Sequence, residues 1–105
     1  IRQPPGSTLF PYTTLFRSEG FAEGVVQEGQ SSTWLVTSRP GELEMAIASE
    51  EDGARFTVRD PQGRVVAELV KEAEIFVPAD GIYEVEVETR RDIEIAQYAL
   101  TVLLK

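Results

Sequence analysis

The chain contains no cysteine and no histidine. Without thiols it can form no disulfide, no thiolate nucleophile and no thiolate zinc site. Without imidazoles it lacks the usual general base near neutral pH, so Ser31 and Ser32 have no partner for a Ser-His-Asp triad. The two absences exclude the commonest catalytic and metal-binding chemistries and leave the carboxylates to be considered.

Long apolar runs and positive charges are also scarce. No apolar stretch approaches the length of a membrane span. Eighteen acidic and ten basic residues give a net charge of −8. An acidic surface with no basic stripe repels nucleic-acid phosphates and anionic lipid headgroups. The sequence therefore predicts no nucleic-acid partner and no membrane span, although such a surface could attract cations.

The opening stretch TLFPYTTLFRS, residues 8–18, contains no acidic residue. It resembles the universal adapter of short-read sequencing libraries translated in one frame. The resemblance extends back to Ile1, with differences at Gln3 and Gly6. Such segments are set aside before fold reasoning. We therefore expect residues 1–18 to be adapter-derived and not native, the gene to come from raw environmental reads, and the native N-terminus, any signal peptide and an upstream domain of the same polypeptide to be lost.

Residues 19–105 have the length of one small domain. Setting aside Arg2 and Arg17 leaves eight basic residues against eighteen acidic ones, a net charge of −10. A chain of this size holds one hydrophobic core but no deep cavity, because it buries a small share of its surface. We therefore expect no large enclosed active site.

Alternation of apolar and polar residues dominates this domain and predicts strands with one core-facing side and one solvent-facing side. The residues expected to be buried are Leu43, Met45, Ile47, Phe56, Val58, Val85, Val87, Leu100 and Val102. The residues expected to be exposed are Glu42, Glu44, Glu84, Glu86 and Glu88. Tyr83 opens one strand, so its ring is expected to pack between the sheets with its hydroxyl at the rim.

Turn residues separate the alternating runs. Gln27-Glu28-Gly29 falls between strands expected near residues 21–26 and 31–37, and Arg39-Pro40-Gly41 ends the second of these. Asp60-Pro61-Gln62-Gly63 has the pattern of a type I turn, and Pro78-Ala79-Asp80-Gly81 provides another turn. Arg90-Arg91-Asp92 is the last break. This spacing predicts an all-β fold, an antiparallel β-sandwich of about eight strands.

The segment from Leu69 to Phe76 fits two periodicities. Leu69, Val70, Ala73 and Phe76 have helical spacing, whereas Ala73, Ile75 and Val77 alternate. We favour two strands, residues 64–70 and 72–77, with a bend near Lys71. A short helical turn is the alternative.

Residues 24–104 resemble a bacterial pre-peptidase C-terminal (PPC) domain. The resemblance lies in an ordered set of segments and not in one motif. The segments are GVVQEGQSSTWLV, GELEMAIAS, ARFTVRDPQGRVVAEL, IFVPADGIYEVEVET and YALTVLL. The fourth is the most telling, since the family places an apolar strand before a Pro-Ala-Asp-Gly-like turn and then an aromatic residue.

The resemblance implies a jelly-roll-like β-sandwich that is non-catalytic. Such domains are appended to secreted proteases or surface proteins of bacteria and archaea. It implies a secreted, periplasmic or cell-surface location and a role in targeting, secretion or stability. The implied partners are the upstream domain and an extracellular polysaccharide or matrix protein.

Two acidic groups and one aromatic residue are candidate sites. Glu84, Glu86 and Glu88 form either a cation-binding face or a solvated face balanced by Arg55, Arg59 and Arg64. Glu50, Glu51 and Asp52 form either a Ca²⁺ site or an acidic loop, and no other cofactor is expected. In related collagen-binding modules, residues before the first strand complete the Ca²⁺ site, and here that segment is adapter. Trp34 either binds sugar or matrix protein at the surface or packs in the core.

Two functions from different classes follow. The first is an accessory domain of a secreted or surface protein, which a buried Trp34 favours. The second is a binding module for carbohydrate or matrix protein, which an exposed aromatic row favours. A glycosidase is disfavoured because it needs two carboxylates across a cleft, one with a pKa raised by burial.

Overall fold

The computed structural model describes the backbone of residues 15–17 and 19–105 and the side chains from Gly20 onward. It contains nine strands in this described part of the chain: β1 (Leu15–Arg17), β2 (Glu19–Gln27), β3 (Ser31–Ser38), β4 (Gly41–Ser49), β5 (Ala54–Arg59), β6 (Val65–Val70), β7 (Glu72–Val77), β8 (Gly81–Thr89) and β9 (Ile95–Leu104). A short 3-10 turn, Glu50–Asp52, joins β4 to β5. None of the described residues belongs to a helix that is both long and apolar enough to cross a membrane.

The strands form two sheets that pack face to face. One sheet has five strands in the order β1-β3-β8-β5-β6, and the other has four in the order β2-β9-β4-β7. All neighbouring strands are antiparallel except β1 and β3, which are parallel. The predicted all-β sandwich is confirmed.

The segment with two periodicities forms two strands, so its helical alternative is wrong. β6 belongs to the five-stranded sheet and β7 to the four-stranded sheet. The chain crosses between the sheets at Lys71, whose carbonyl accepts a hydrogen bond from the N–H of Ile47 at 2.9 Å. β7 keeps the predicted alternation of Ala73, Ile75 and Val77, whereas β6 has an irregular pattern in which only Ala67 and Val70 are partly covered.

The core includes every residue that the alternation selected, among nineteen buried apolar residues in the described part of the chain. All nine apolar residues predicted to be buried are buried, and Tyr83 joins them with 3% of its surface exposed. The intervening glutamates lie on the outer sides of the sheets, as predicted, but only Glu42 is fully exposed. Glu44, Glu84, Glu86 and Glu88 are half-buried. Neighbouring side chains on a sheet partly cover one another. A pattern that divides residues only into buried and exposed does not describe this partial cover.

The β5–β6 connection is the predicted turn. The N–H of Gly63 donates to the carbonyl of Asp60 at 2.8 Å, and Gly63 has a φ of 83°, which glycine adopts without strain. The Asp60 carboxylate accepts hydrogen bonds from the backbone N–H groups of Gln62 and Arg64, each at 2.9 Å. The side chain thus fixes the turn that its position in the sequence predicted.

Part of the opening segment lies at a sheet edge. β1 pairs with β3 in the register Leu15 to Leu35, Phe16 to Val36 and Arg17 to Thr37. An open edge offers unpaired backbone groups to any extended chain, so this pairing requires no selected side chains. The rest of the segment expected to be adapter-derived, including Gln3 and Gly6, lies outside the described residues.

Candidate functional site

Trp34 lies in the core, with 7% of its surface exposed. It shares the inner side of β3 with Ser32 and Val36, and its Nε1 donates a hydrogen bond to the hydroxyl of Tyr98 on β9 at 2.8 Å. Gly24 lies opposite Tyr98 on β2, and a Cβ there would come within 2.7 Å of the Tyr98 hydroxyl. The ring therefore links the two sheets, and little of it is available to a ligand.

The Tyr98 phenol is held in a largely apolar setting. Burial raises the pKa of Tyr98, and the neighbouring side chains of Ser32 and Trp34 oppose that rise only in part. The phenol consequently remains protonated across the physiological range and acts as a hydrogen-bond acceptor for Trp34. This arrangement is structural, because a buried phenol needs a partner.

Glu50, Glu51 and Asp52 lie on the 3-10 turn and are exposed. The Asp52 carboxylate contacts Lys71 Nζ at 3.0 Å and Arg55 Nη2 at 3.5 Å. The hydrogen bond from Lys71 is the main cause of the lowered pKa of Asp52. Within residues 20–105, no three acidic side chains form a group that could hold a metal ion. The structure does not bring the three candidate ligands together, and the Ca²⁺ site stays a prediction.

The stripe of Glu84, Glu86 and Glu88 lies on the outer side of β8. Arg59 on the neighbouring β5 contacts Glu86 at 3.0 Å and Glu84 at 3.6 Å, so the predicted cross-strand balance exists. The other two arginines expected to contribute have different partners. Arg55 contacts Asp52, and Arg64 contacts Asp60 at 2.9 Å, because each lies next to a turn whose acid is closer.

The outer side of the four-stranded sheet has a different composition. Four large apolar side chains are exposed there: Phe21 on β2 (60%), Ile95 and Leu103 on β9 (56% and 43%) and Phe76 on β7 (77%). The strand register aligns small residues between them, with Thr101 of β9 beside Ala46 of β4. The sheet thus presents an open apolar surface with a flat centre.

Carboxylates border this surface along β4 and β7. Glu44 and Glu74 are directly paired across the two strands, and Glu72 is paired with Ala46. The small residues and the glutamates together outline a hollow of about 480 Å³, lined by Glu44, Met45, Ala46, Glu72, Ala73, Glu74, Thr101 and Leu103. We call this surface the acidic face and define it by Phe21, Glu42, Glu44, Ala46, Glu72, Glu74, Phe76, Thr101 and Leu103.

The carboxylates of the acidic face are only partly neutralised. Lys105 Nζ lies 2.6 Å from Glu44 Oε1 and lowers the pKa of Glu44 through that hydrogen bond. Close contact with Glu42, and then with Glu44, raises the pKa of Glu74. Like charges paired directly across strands are destabilising. Sequence reasoning placed Glu42 and Glu44 on a solvent-facing side but missed Glu72 and Glu74, because only the β4–β7 register brings the four together.

Apolar side chains fill the interior of the sandwich, and the charged side chains lie on the outer sides of its two sheets. The domain is therefore an all-β module that carries its charged groups on open surfaces. No protein-family model matches the chain, and no curated protein matches its sequence. Solved structures match its fold. PliG of Aeromonas hydrophila, a periplasmic inhibitor of g-type lysozyme, superposes with a TM-score of 0.70 at 16% identity, covering 89% of this chain and 97% of that chain.

The pre-peptidase C-terminal domain of the collagenase from Bacillus anthracis superposes with a TM-score of 0.67 at 14% identity. That match covers 87% of this chain and 96% of that domain. A PliG mutant from Escherichia coli gives a TM-score of 0.59 at 14% identity, covering 90% of this chain and 100% of that chain. The resemblance to PPC domains is therefore confirmed in the fold, which PliG proteins share.

Proposed function

We propose that residues 19–105 form a non-catalytic accessory domain of a secreted, periplasmic or cell-surface bacterial protein. In this role the domain aids the targeting, secretion or stability of an upstream domain. One observation carries the proposal. Apolar side chains fill the interior of the sandwich, so the charged side chains of residues 20–105 lie on open surfaces. The fold shared with the PPC domain of a collagenase supports it.

The carboxylates do not fit hydrolytic chemistry. A glycosidase requires an acid whose pKa is raised by burial, facing a second carboxylate across a cleft. Burial is the main cause of the raised pKa of Glu88, but Glu88 and Glu86 lie side by side on the outer side of β8 and do not face each other across a cleft. Glu74 also has a raised pKa, and its cause is the neighbouring Glu42 and Glu44 on an exposed sheet face. Repulsion between exposed carboxylates does not create a general acid beside a bound substrate, so we assign no catalytic residue.

Binding to a protein is the second candidate, and the acidic face favours it. The proteins with this fold include inhibitors of g-type lysozyme, which act by binding another protein. A carbohydrate ligand is supported less well, because a sugar site uses a continuous aromatic platform. Trp34 is buried, and the exposed Phe21 and Phe76 lie on the opposite edge strands β2 and β7. A matrix protein or another extracellular protein therefore fits the surface better than a polysaccharide does.

An export experiment tests the accessory role. Residues 19–105 are fused to the C-terminus of a reporter enzyme that carries its own signal peptide, and a fusion with an unrelated β-sandwich of equal length serves as the control. The yield of intact exported reporter and its co-sedimentation with insoluble collagen, chitin or peptidoglycan are measured. We expect a higher yield, or retention on collagen, relative to the control.

Two results would contradict the proposal. One is a fusion that equals the control in both yield and retention. The other is hydrolysis of a peptide or glycoside substrate by the purified domain, because the proposal assigns it no catalytic residue.

A further inference from the structure

The two sheets of the domain differ in their content of lysine and arginine side chains. Arg55 and Arg59 lie on β5 of the five-stranded sheet, and Arg59 neutralises the glutamates of β8. None of β2, β4, β7 and β9 contains a lysine or an arginine. Within residues 20–105, Lys105 provides the one ion pair to the acidic face. Lys105 thus faces four carboxylates, those of Glu42, Glu44, Glu72 and Glu74, and most of the negative charge of the acidic face is left without an ion pair among the described residues.

Exposed aromatic rings coincide with this charge. Eight large apolar side chains are exposed among the residues whose side chains are described, four on each sheet. The four-stranded sheet carries both phenylalanines of this set, Phe21 and Phe76, beside Ile95 and Leu103, whereas the four on the other sheet are all aliphatic. Exposed apolar surface rimmed by polar residues is typical of a protein interaction site. The two phenylalanines together with the unmatched charge distinguish the acidic face from the outer side of the other sheet.

We propose that the acidic face docks a folded protein whose surface carries lysine or arginine side chains around an apolar contact, with one cationic side chain entering the hollow between β4 and β7. This inference rests on the proposed function, because it takes the domain to be a binding module, and it adds the kind of partner that is bound. Charge complementarity decides the kind of partner, since opposite potentials steer association and like charges prevent it.

The hollow fits the two parts of such a side chain. The alkyl stem of a lysine can lie on Ala46 and Leu103, and its ammonium group can reach Glu44 and Glu74, which are paired across the strands. An ammonium group already binds one of these carboxylates, because Lys105 Nζ contacts Glu44 at 2.6 Å. A second cation would relieve the repulsion between Glu74 and its two acidic neighbours.

Other occupants fit less well. A nucleic acid or an anionic lipid surface would meet like charge. A second copy of the domain would place two acidic faces against each other. A metal ion lacks a converging ligand set among residues 20–105.

The test uses the full chain and a defined basic protein. Horse cytochrome c, which is small, folded and rich in lysine, is titrated into ¹⁵N-labelled protein at low ionic strength, and its succinylated, acidic form is the matched probe. We expect cytochrome c to shift the amide resonances of β4, β7 and β9, and the succinylated form to shift none. Added salt should weaken the interaction, because screening reduces exposed charge pairs.

Charge-reversal variants locate the contact. Glu72→Lys combined with Glu74→Lys should weaken cytochrome c binding by about tenfold or more, since charge complementarity controls this encounter. Glu28→Lys combined with Glu68→Lys has the same net charge, and both residues are exposed away from the acidic face. That control should change affinity by about twofold or less, because only long-range charge is altered.

Three outcomes would overturn the proposal: no binding of cytochrome c, shifts centred on β5 and β8, or equal loss of affinity in both variants. Unchanged amide dispersion in the variants shows that each is folded. The export experiment is independent of these results. A fusion that raises reporter yield without binding cytochrome c would retain the accessory role and reject the docking surface.

Discussion

Trp34 and Tyr98 join the two sheets through a hydrogen bond between residues 64 positions apart in the chain. The donor lies on β3 of one sheet and the acceptor on β9 of the other. The sequence left open whether Trp34 packs in the core or lies at the surface, and the structure places it in the core with Tyr98. Their contact was not predictable, because it depends on which strands face each other and on the space that Gly24 leaves.

Tyr98→Phe tests this link. We expect a loss of about 1–3 kcal/mol in the free energy of unfolding near neutral pH, because the buried Nε1–H of Trp34 loses the Tyr98 hydroxyl as its acceptor. Burial raises the pKa of Tyr98 in the folded state. The protonated phenol therefore contributes stability that is fully present below the pKa of an unfolded tyrosine, near 10, and is lost as the pH rises through the pKa of the folded protein. The wild type should therefore lose more stability than Tyr98→Phe between pH 8 and pH 11 in urea unfolding. Equal losses in the two proteins would contradict the assignment.

Tyr83 occupies a different position at the end of the sandwich. Its ring is buried, and it lines a hollow of about 310 Å³ together with Asp60 and Pro61. Tyr83→Ala should cost on the order of 3 kcal/mol, as for other large aromatic truncations. Tyr83→Phe should cost about 1 kcal/mol or less, because it keeps the packing. If denaturant melts showed both variants equal to wild type, Tyr83 would not be the core anchor that the fold implies.

At the scale of the element, β6 contains a strained residue. Leu69 has a φ of 49°, its side chain is 53% exposed, and its N–H donates to Thr57 Oγ1 at 3.1 Å. A left-handed conformation costs a non-glycine residue about 1–2 kcal/mol. The strain accompanies irregular pairing between β5 and β6, which the alternating pattern did not indicate.

Leu69→Gly should relieve that strain. We expect it to leave the free energy of unfolding unchanged or to raise it by up to about 1 kcal/mol, after the entropic cost of glycine is subtracted. Glu68→Gly is the control, since Glu68 is exposed on the same strand and does not have a positive φ. That variant should lose about 0.5–1 kcal/mol. Chemical denaturation distinguishes the two, and a larger loss in Leu69→Gly than in the control would refute the strain argument.

The β4–β7 pair carries the crowded carboxylates. Neighbouring carboxylates raise the pKa of Glu74 in the folded state. The stability that the protonated side chain contributes is therefore fully present below its ordinary pKa of 4.5 and is lost as the pH rises through the folded pKa. Glu74→Gln should consequently raise the melting temperature at pH 7 and change it little at pH 4. Glu68→Gln, on exposed β6, should change it little at either pH. Calorimetric melts at the two pH values provide the measurement. An unchanged melting temperature for Glu74→Gln at pH 7 would mean that repulsion is absent.

At the scale of the whole molecule, the sequence predicted the sandwich and its core but not the surface. Alternation depends on neighbouring residues, so Leu43, Phe56 and Val85 were identified as buried without knowledge of the topology. The acidic face depends on β7 pairing with β4, two strands that are separated by β5 and β6 in the chain. Arg55 is paired with Glu88 across β5 and β8, as the predicted balance requires, but its ion pair is with Asp52, three residues before it in the chain.

The domain organisation is the other molecular-scale question. Among residues 20–105, whose side chains the structure describes, the core cluster runs from Ala22 to Val102, with Leu104 packed against it. We propose that residues 1–18 are adapter-derived, so they have no co-selected partners, and that residues 19–105 are the functional unit. The pairing of β1 with β3 is then an edge contact that the core does not require.

Thermal unfolding of residues 19–105 beside the full chain tests this central claim most directly. The account predicts a single cooperative transition in both proteins, with the melting temperature of the shorter protein equal within error or higher. The shorter protein should also give the same cytochrome c shifts on β4, β7 and β9. A large fall in melting temperature, or loss of the cooperative transition, would show that the first eighteen residues complete the fold and would contradict the account.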